Sequence, residues 1–320
     1  MPVRARLIVN PAAGGGRAGR AAPDVERRLR ELGLDLTRAD THDLEHAREL
    51  ALEAAAGGEI VISLSGDGLV GALADALRNV SDSTLALLPG GRGNDLARVL
   101  GIPEDPLEAC AIVRDGVRRP VDLGLVVSAD DGDADGGGRA FVGIASCGFD
   151  SVANRIANEA PPWLGGLVYA YGALRALISW RPARFEVVLH PSGERHEFSG
   201  YSVAAANSKA YGGGMLIAPD ALLDDGQLDV VLSEHVGRLR FLANLPRVFK
   251  GTHVGLPECR VLRAAEVTIA ADRPFALYAD GDPIGELPVR VRAAAGAVHM
   301  LVPADRRDAF SSPPPLAGDT

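Results

Sequence analysis

The sequence predicts an α/β protein, with a doubly wound parallel sheet in its N-terminal part and an antiparallel β domain behind it. Three observations support this. Strand and helix patterns alternate four times between residues 5 and 100. Two of those strands run into glycine-rich turns that carry an acid at the start of the next helix. Beyond residue 117, short strands of alternating polarity dominate.

Ala5–Asn10 reads as strand one and runs into Pro11 and the glycine-rich stretch Ala12–Arg20. A helix follows, with Pro23 near its first turn, Val25, Leu29 and Leu32 on one face, and Gly33 as its stop. Leu34–Arg38 is a short second strand leading to Thr41. The next helix gathers Leu44, Ala47, Leu50, Ala51 and Ala54. Ile60–Leu64 is a continuous apolar run, suited to a parallel strand buried on both faces. It breaks at Ser65-Gly66-Asp67-Gly68, and apolar residues then resume at helical spacing (Leu69, Ala72, Leu73, Ala76, Leu77). Thr84–Leu88 is the fourth strand, Pro89–Asp95 a second glycine-rich turn, and Leu96–Leu100 a helix. In the second part, strands are expected at Ala140–Ala145, Phe185–His190, Tyr201–Ala206, Leu228–Leu232, Val267–Ala270 and Val289–Val291, with helices near 150–180 and 238–250. Ser128–Gly138 is an acidic hairpin tip or linker that lacks the closing glutamate of a calcium loop. The tail from Ala304 reads as frayed.

The chain has 320 residues, 47% hydrophobic and 23% charged, with lysine only at 209 and 250. Its length favours two domains, placed at 1–124 and 125–300, with 300–320 a candidate to return to the first. A net charge of −9 argues against nucleic acid as a partner. Cys110, Cys147 and Cys259 lack metal-ligand spacing and read as buried thiols of a reducing compartment. With no charged-then-apolar leader, a cytoplasmic protein is expected. Trp163–Trp180, interrupted by Arg175 and glycines, reads as a buried helix rather than a membrane span.

The two glycine turns carry the chemistry. Gly66 and Gly68 leave backbone N–H groups open to an anion at a helix start, whereas Asp67 would repel a phosphate unless a cation lay between them. That combination points to a nucleotide with Mg²⁺; an ordinary Asp-Gly turn is the alternative. Asp95, at the same end of the sheet, would converge with Asp67. Its alternative, a helix-start acid, leaves Gly90, Gly91 and Gly93 unexplained. Gly14–Gly19 also satisfies G-x-G-x-x-G, with Asp35 or Asp40 as a ribose acid, so an NAD(P)-dependent dehydrogenase is a competing reading. The Pro11-Ala-Ala spacer before the first glycine argues against it.

Together these stretches resemble the diacylglycerol kinase catalytic-domain family of bacterial lipid kinases and sphingosine kinases, from Asn10-Pro11 to about Val302. Ser65–Gly68 resembles the family's Gly-Gly-Asp-Gly-Thr motif, and Pro89–Arg98 its Gly-Thr-x-Asn-Asp-Phe-Ala-Arg segment. Ala218-Pro219 with Asp224–Asp229, Gly251-Thr-His253 and Tyr278–Asp282 follow in the family's order. The resemblance implies a nucleotide-binding α/β domain, a β-sandwich lipid-substrate domain and an active site between them. It implies ATP and Mg²⁺ as cofactors and a lipid, diacylglycerol-like, as acceptor. Nucleotide contacts are implied at Asn10, Gly14, Gly15, Gly16, Thr41, Ser65, Gly66, Asp67, Gly68, Gly91, Arg92, Gly93 and Asn94. Catalytic Mg²⁺ falls to Asp67 and Asp95, the general base to Asp282, and a structural Mg²⁺ to Asp225 with Leu222 and Gln227.

The chain departs from the family pattern at Leu69, Gly71, Ala72, Arg92 and Asp282. Arg92 stands where a threonine is usual, and its guanidinium could clamp phosphate oxygens in compensation. A nucleotide-binding but weakly catalytic or non-catalytic relative is the second-ranked reading. Trp163–Leu174 is a candidate acyl pocket, and the basic, apolar segment Arg238–Lys250 a candidate contact with an anionic bilayer at the inner membrane face. A homodimer is the remaining partner to test.

Overall fold

The computed structural model describes residues 2–78, 80–128, 138–158, 168–306 and 308–311. The acidic tip at 129–137, the start of the Trp163 stretch at 163–167 and the tail at 312–320 lie outside the described residues.

The N-terminal part holds four strands, β1 (Arg4–Val9), β2 (Asp35–Asp40), β3 (Ile60–Ser65) and β4 (Leu85–Pro89). All are parallel, in the order β2-β1-β3-β4, so their carboxyl ends share one edge of the sheet. Five helices accompany them: α1 (Ala13–Glu31), α2 (Leu44–Ala56), α3 (Asp67–Leu77), α4 (Asp95–Val99) and α5 (Pro106–Asp115). α1 packs with α5, and α2 with α3. The ends follow local chemistry. Gly33, at φ +89°, lets α1 close with Leu34 N–H donating to Leu29 O and Gly33 N–H to Arg30 O. Asp43 accepts the His46 N–H at 2.8 Å to start α2. Pro23, expected in the first turn, lies in the body of α1, which begins ten residues earlier. The reason is that Gly14–Gly16 sit at φ between +62° and +84°, so the first turn is a glycine-built kink. α5 was not anticipated, although Asp105-Pro106 carries its cap and first residue.

The second part contains β5 (Val117–Ser128), β6 (Arg139–Phe141), β7 (Ile144–Gly148), α6 (Phe149–Asn158), α7 (Val168–Ser179), β8 (Ala183–His190), β9 (Arg195–Ala206) and β10 (Leu228–Glu234). α8 (Arg238–Val248), β11 (Cys259–Ala264), β12 (Glu266–Ala271), β13 (Ala276–Ala279), β14 (Asp282–Glu286) and β15 (Val289–Val302) complete it. An antiparallel path runs β14-β13-β7-β9-β8-β12-β15. β15 then pairs in parallel with β4 at Met300↔Leu85. The result is an α/β architecture whose strands form one mixed, hydrogen-bonded sheet, where the sequence suggested two independent ones. β5, the long partner of β15, was missed because Pro120, Gly124 and two arginines break its strand signal. Gly124 is required: a Cβ there would fall 2.0 Å from the Phe141 ring.

Two large apolar clusters result. One joins β1, β3, β4 and their helices to Val298–Val302, Ala309 and Phe310. The other gathers Phe141, Phe149, Trp180, Phe185 and Tyr201 with the strands around them. Among the described residues, no helix is long and apolar enough to cross a membrane.

Candidate active site

Three glycine turns meet at the shared edge. A Cβ on Gly14 would lie 2.4 Å from Gly90 O, and one on Gly91 would lie 2.4 Å from Gly66 Cα. The turns after β1, β3 and β4 therefore touch backbone to backbone, at distances only glycine permits. Arg17 Nη2 donates to Gly91 O at 2.9 Å and ties the first turn to the third. Asn10 shapes the first turn by accepting the Ala12 N–H on Oδ1 at 3.1 Å. Asn94 shapes the third: at φ +52° it accepts the Gly91 N–H at 2.8 Å and donates to Gly91 O at 3.1 Å.

Asp67 and Asp95 converge here. A Cβ on Gly93 would lie 3.1 Å from Asp67 Oδ2 and 3.3 Å from Asp95 Oδ2, so both carboxylates border one small space. Asp67 accepts the Asp95 N–H at 3.1 Å and the Leu96 N–H at 3.2 Å, capping α4 from another loop. Burial raises its pKa, helped by the charge of Asp95, while those N–H bonds oppose the rise. Asp95 accepts from Arg98 Nη1 on Oδ1 and from Gly213 N–H on Oδ2, each at 2.8 Å. Gly213 belongs to a Gly212–Gly214 turn with φ between +64° and +101°, closed by Tyr211 and Met215. That turn reaches the acid from the second part of the chain; its signal in the sequence was the triple glycine.

Asp282 flanks the same place. Its Oδ2 lies 3.4 Å from where a Gly68 Cβ would be, one residue past Asp67, and it makes no side-chain hydrogen bond to the described residues. It borders a shallow cleft with Leu44, Arg48, Gly71, Arg139, Phe141, Asp280 and Ile284. Asp280, which the sequence reading passed over, is the more constrained acid. Its carboxylate accepts the Val142 N–H at 2.9 Å and the Gly143 N–H at 3.0 Å. Burial pushes its pKa up to about 7, against those bonds and with the help of Asp67. A Cβ on Gly71 would come 3.0 Å from Asp280 Oδ2, so glycine at this departure from the family pattern makes room for that carboxylate. Leu69 and Ala72, the other departures on α3, are buried.

Other candidates sit nearby without pointing at an open site. Ser65 shares a 2.6 Å hydrogen bond with Ser63 and is buried. Thr41, at the end of β2, donates to Asp43 O at 2.6 Å. Arg92 is exposed and makes no hydrogen bond or ion pair with the described residues. Leu222, Asp225 and Gln227 form a separate turn, where Asp225 accepts the Gln227 N–H at 3.0 Å and pairs with Arg263. A cation at Asp225 would have to compete with that guanidinium. Beside it, Asp122 accepts N–H bonds from Gly226 at 2.6 Å and Gly296 at 2.7 Å, joining β5 to two turns. No group of three or more acidic, histidine or cysteine side chains suited to a metal occurs among the described residues. A cation at Asp67 and Asp95 would therefore complete its shell with phosphate oxygens or water, the habit of Mg²⁺.

A mixed α/β sheet with converging glycine turns and paired acids at its edge offers helix starts where an anion would be favoured beside acids that would favour a cation. Family comparison is specific: residues 4–126 match the diacylglycerol kinase catalytic domain and 143–302 match the YegS C-terminal NAD kinase beta sandwich-like domain, and the chain belongs to this lipid kinase family. A diacylglycerol kinase from Mycobacterium tuberculosis is 35% identical over 301 residues, covering 92% of this chain and 94% of the relative. One from Bacillus subtilis is 27% identical over 309 residues, covering 95% and 98%. A diacylglycerol kinase crystal structure from Bacillus anthracis str. Sterne shares the fold, with a TM-score of 0.70 at 20% identity over 93% of this chain and 96% of that one.

Proposed function

We propose that the protein is an ATP- and Mg²⁺-dependent lipid kinase that phosphorylates a lipid hydroxyl, a diacylglycerol-like acceptor being the first to test. The observation that carries this reading is the meeting of the Gly14, Gly66 and Gly91 turns beside the Asp67–Asp95 pair. Phosphoryl transfer asks a protein mainly for positioning and charge neutralisation. The starts of α1 and α3, where Gly14, Gly15 and Gly68 put no side chain over the backbone, suit phosphate oxygens. Asp67 and Asp95 border one space, where Arg98 already pairs with one oxygen of Asp95, and they are the residues that would hold Mg²⁺. When bound, the ion would offset the negative charge of the phosphates.

The acceptor's proton goes to Asp282 in this reading. Asp280 has spent both oxygens on backbone N–H groups, whereas Asp282, beside Gly68 in the cleft lining, makes no side-chain hydrogen bond to the described residues. Asp280 then acts as a positioning residue for the β13–β14 turn. Relatives over nearly the full chain that carry the name diacylglycerol kinase favour the same acceptor class.

The decisive experiment is transfer of radiolabelled phosphate from ATP to a panel containing diacylglycerol, a sphingoid base and another glycerolipid, with and without Mg²⁺. Labelled lipid only with Mg²⁺ is expected. Absence of any labelled lipid, with thermal protection by NAD(H) and none by ATP, would return the chain to the dehydrogenase reading.

A further inference from the structure

Asn207, the residue after β9, is a wholly buried polar side chain. Its amide nitrogen donates to two main-chain carbonyls at once, Asp122 O on β5 and Val142 O between β6 and β7, each at 2.8 Å. Two carbonyl partners fix the orientation of the amide, because only its nitrogen can donate. The main chain repeats the connection: the N–H groups of Asn207 and Ser208 both donate to Gly143 O, at 3.0 and 3.1 Å.

The peptides gripped in this way are the ones that hold Asp280. Val142 N–H and Gly143 N–H donate to its two oxygens at 2.9 and 3.0 Å. The contact has no slack, since a Cβ on Gly143 would come 2.4 Å from Asp280 Oδ1. Asp280 and Gly281, at φ +51° and +97°, form the two-residue turn between Ala279 and Asp282, which pair across the β13–β14 hairpin. Fixing Asp280 therefore fixes Asp282.

In the other direction the chain leaves Asn207 for the turn that reaches Asp95. Lys209 O accepts the Ala218 N–H at 3.2 Å, and Tyr211 and Met215 bond to each other at 3.1 and 3.0 Å. Gly213 N–H, at the tip, donates to Asp95 Oδ2 at 2.8 Å. One buried amide thus stands between two arms that end at different acids of the cleft.

We propose that Asn207 is a positioning residue for phosphoryl transfer: by clamping Asp122 O and Val142 O it fixes the Asp280–Asp282 turn relative to the Gly213 turn, and so the separation of Asp282 from the Asp67–Asp95 pair. The roles of those acids rest on the lipid-kinase reading; the linkage between the two arms does not.

Two measurements on Asn207→Ala test it. In protein free of metal and nucleotide, native-state hydrogen exchange should quicken at the amides of Val142, Gly143 and Gly213 and keep the wild-type rate in β3. In the labelling assay, kcat should fall on the order of 10²-fold, the scale of a reacting group displaced by about 1 Å. KM for ATP should stay within about two-fold, since the three glycine turns that face the nucleotide belong to the first part of the chain. Asn207→Ser, whose hydroxyl can serve one of the two carbonyls, should show a smaller loss with the same split, and it replaces the alanine variant if that chain does not fold. Adding Asp280→Asn to Asn207→Ala should cost no more than the worse single change, because both act through the same peptides. Exchange that quickens equally in β3, losses in kcat that add in the double variant, or a KM for ATP that rises in step with the fall in kcat would each overturn the positioning role. Quickened exchange confined to the two arms, in a protein that labels no lipid, supports the linkage and retires the kinase reading. Lipid labelled at the wild-type rate by both Asn207 variants keeps the kinase reading and removes Asn207 from it.

Discussion

Asp67 serves two purposes with one carboxylate, as the cap of α4 and as half of an acid pair. Its removal should therefore register twice. Asp67→Ala should cost about 1 kcal/mol of stability, the usual value of a lost helix cap, and should abolish phosphoryl transfer. Urea denaturation and the labelling assay read the two effects separately. Unchanged stability would show that the N–H groups of Asp95 and Leu96 find water instead. Asp282 differs because its side chain makes no hydrogen bond to the described residues. Asp282→Asn should leave stability and ADP binding near wild type while turnover falls by ~10²–10⁴-fold, the range of general-base catalysis. A variant with normal turnover would move the base elsewhere. Arg92, exposed on the third glycine turn, is legible only as a surface residue in the structure. If it clamps phosphate as its place in the motif suggests, Arg92→Ala should weaken ATP binding at least about ten-fold by calorimetry, about 1.5–3 kcal/mol for a hydrogen bond to a charged group.

At the level of elements, the site is made by turns that have no room for side chains. Gly91→Ala would put a methyl group 2.4 Å from Gly66 Cα, a backbone atom that no rotamer change can move. The two turns would have to part, at a cost on the order of 1–3 kcal/mol, and ADP should no longer raise the melting temperature. Gly15 is a useful contrast, since a Cβ there meets nothing within 4 Å and only its φ of +69° opposes substitution. Much at this level was readable: the apolar run of β3, the Gly33 stop, and both glycine–acid turns. β5 and the split of 140–145 into β6 and β7 were not. Their polarity is set by neighbours distant in sequence, namely β15 for β5 and Phe141 against Gly124 for the turn into β6.

Across the whole molecule, buried carboxyl groups give the stability a direction in pH. Burial brings Asp280 up to about 7 and Asp150 up to about 6, against about 3.9 for an unfolded aspartate. Between those values the native chain holds protons that the unfolded chain has released, so stability falls as pH rises through the window. The contribution is complete below about pH 4 and lost above about pH 7. Metal-free protein should therefore show a lower urea midpoint at about pH 8 than at about pH 5, and the difference should shrink in Asp280→Asn. A midpoint that climbs with pH over this range would contradict the buried placement of Asp280. The single sheet gives such effects global reach, because β15 joins the two apolar clusters that flank the site.

The sequence by itself determined the periodicities, the turn chemistry and the family motifs, because each depends on residues a few positions apart. Only the tertiary structure decided which acids share a space. Asp67 and Asp95 open helices that follow different strands, Gly213 arrives from the second part of the chain, and Asp280 is held by N–H groups more than a hundred residues away. Such proximity is fixed by how strands pair across the sheet, and strand pairing leaves no mark in local sequence.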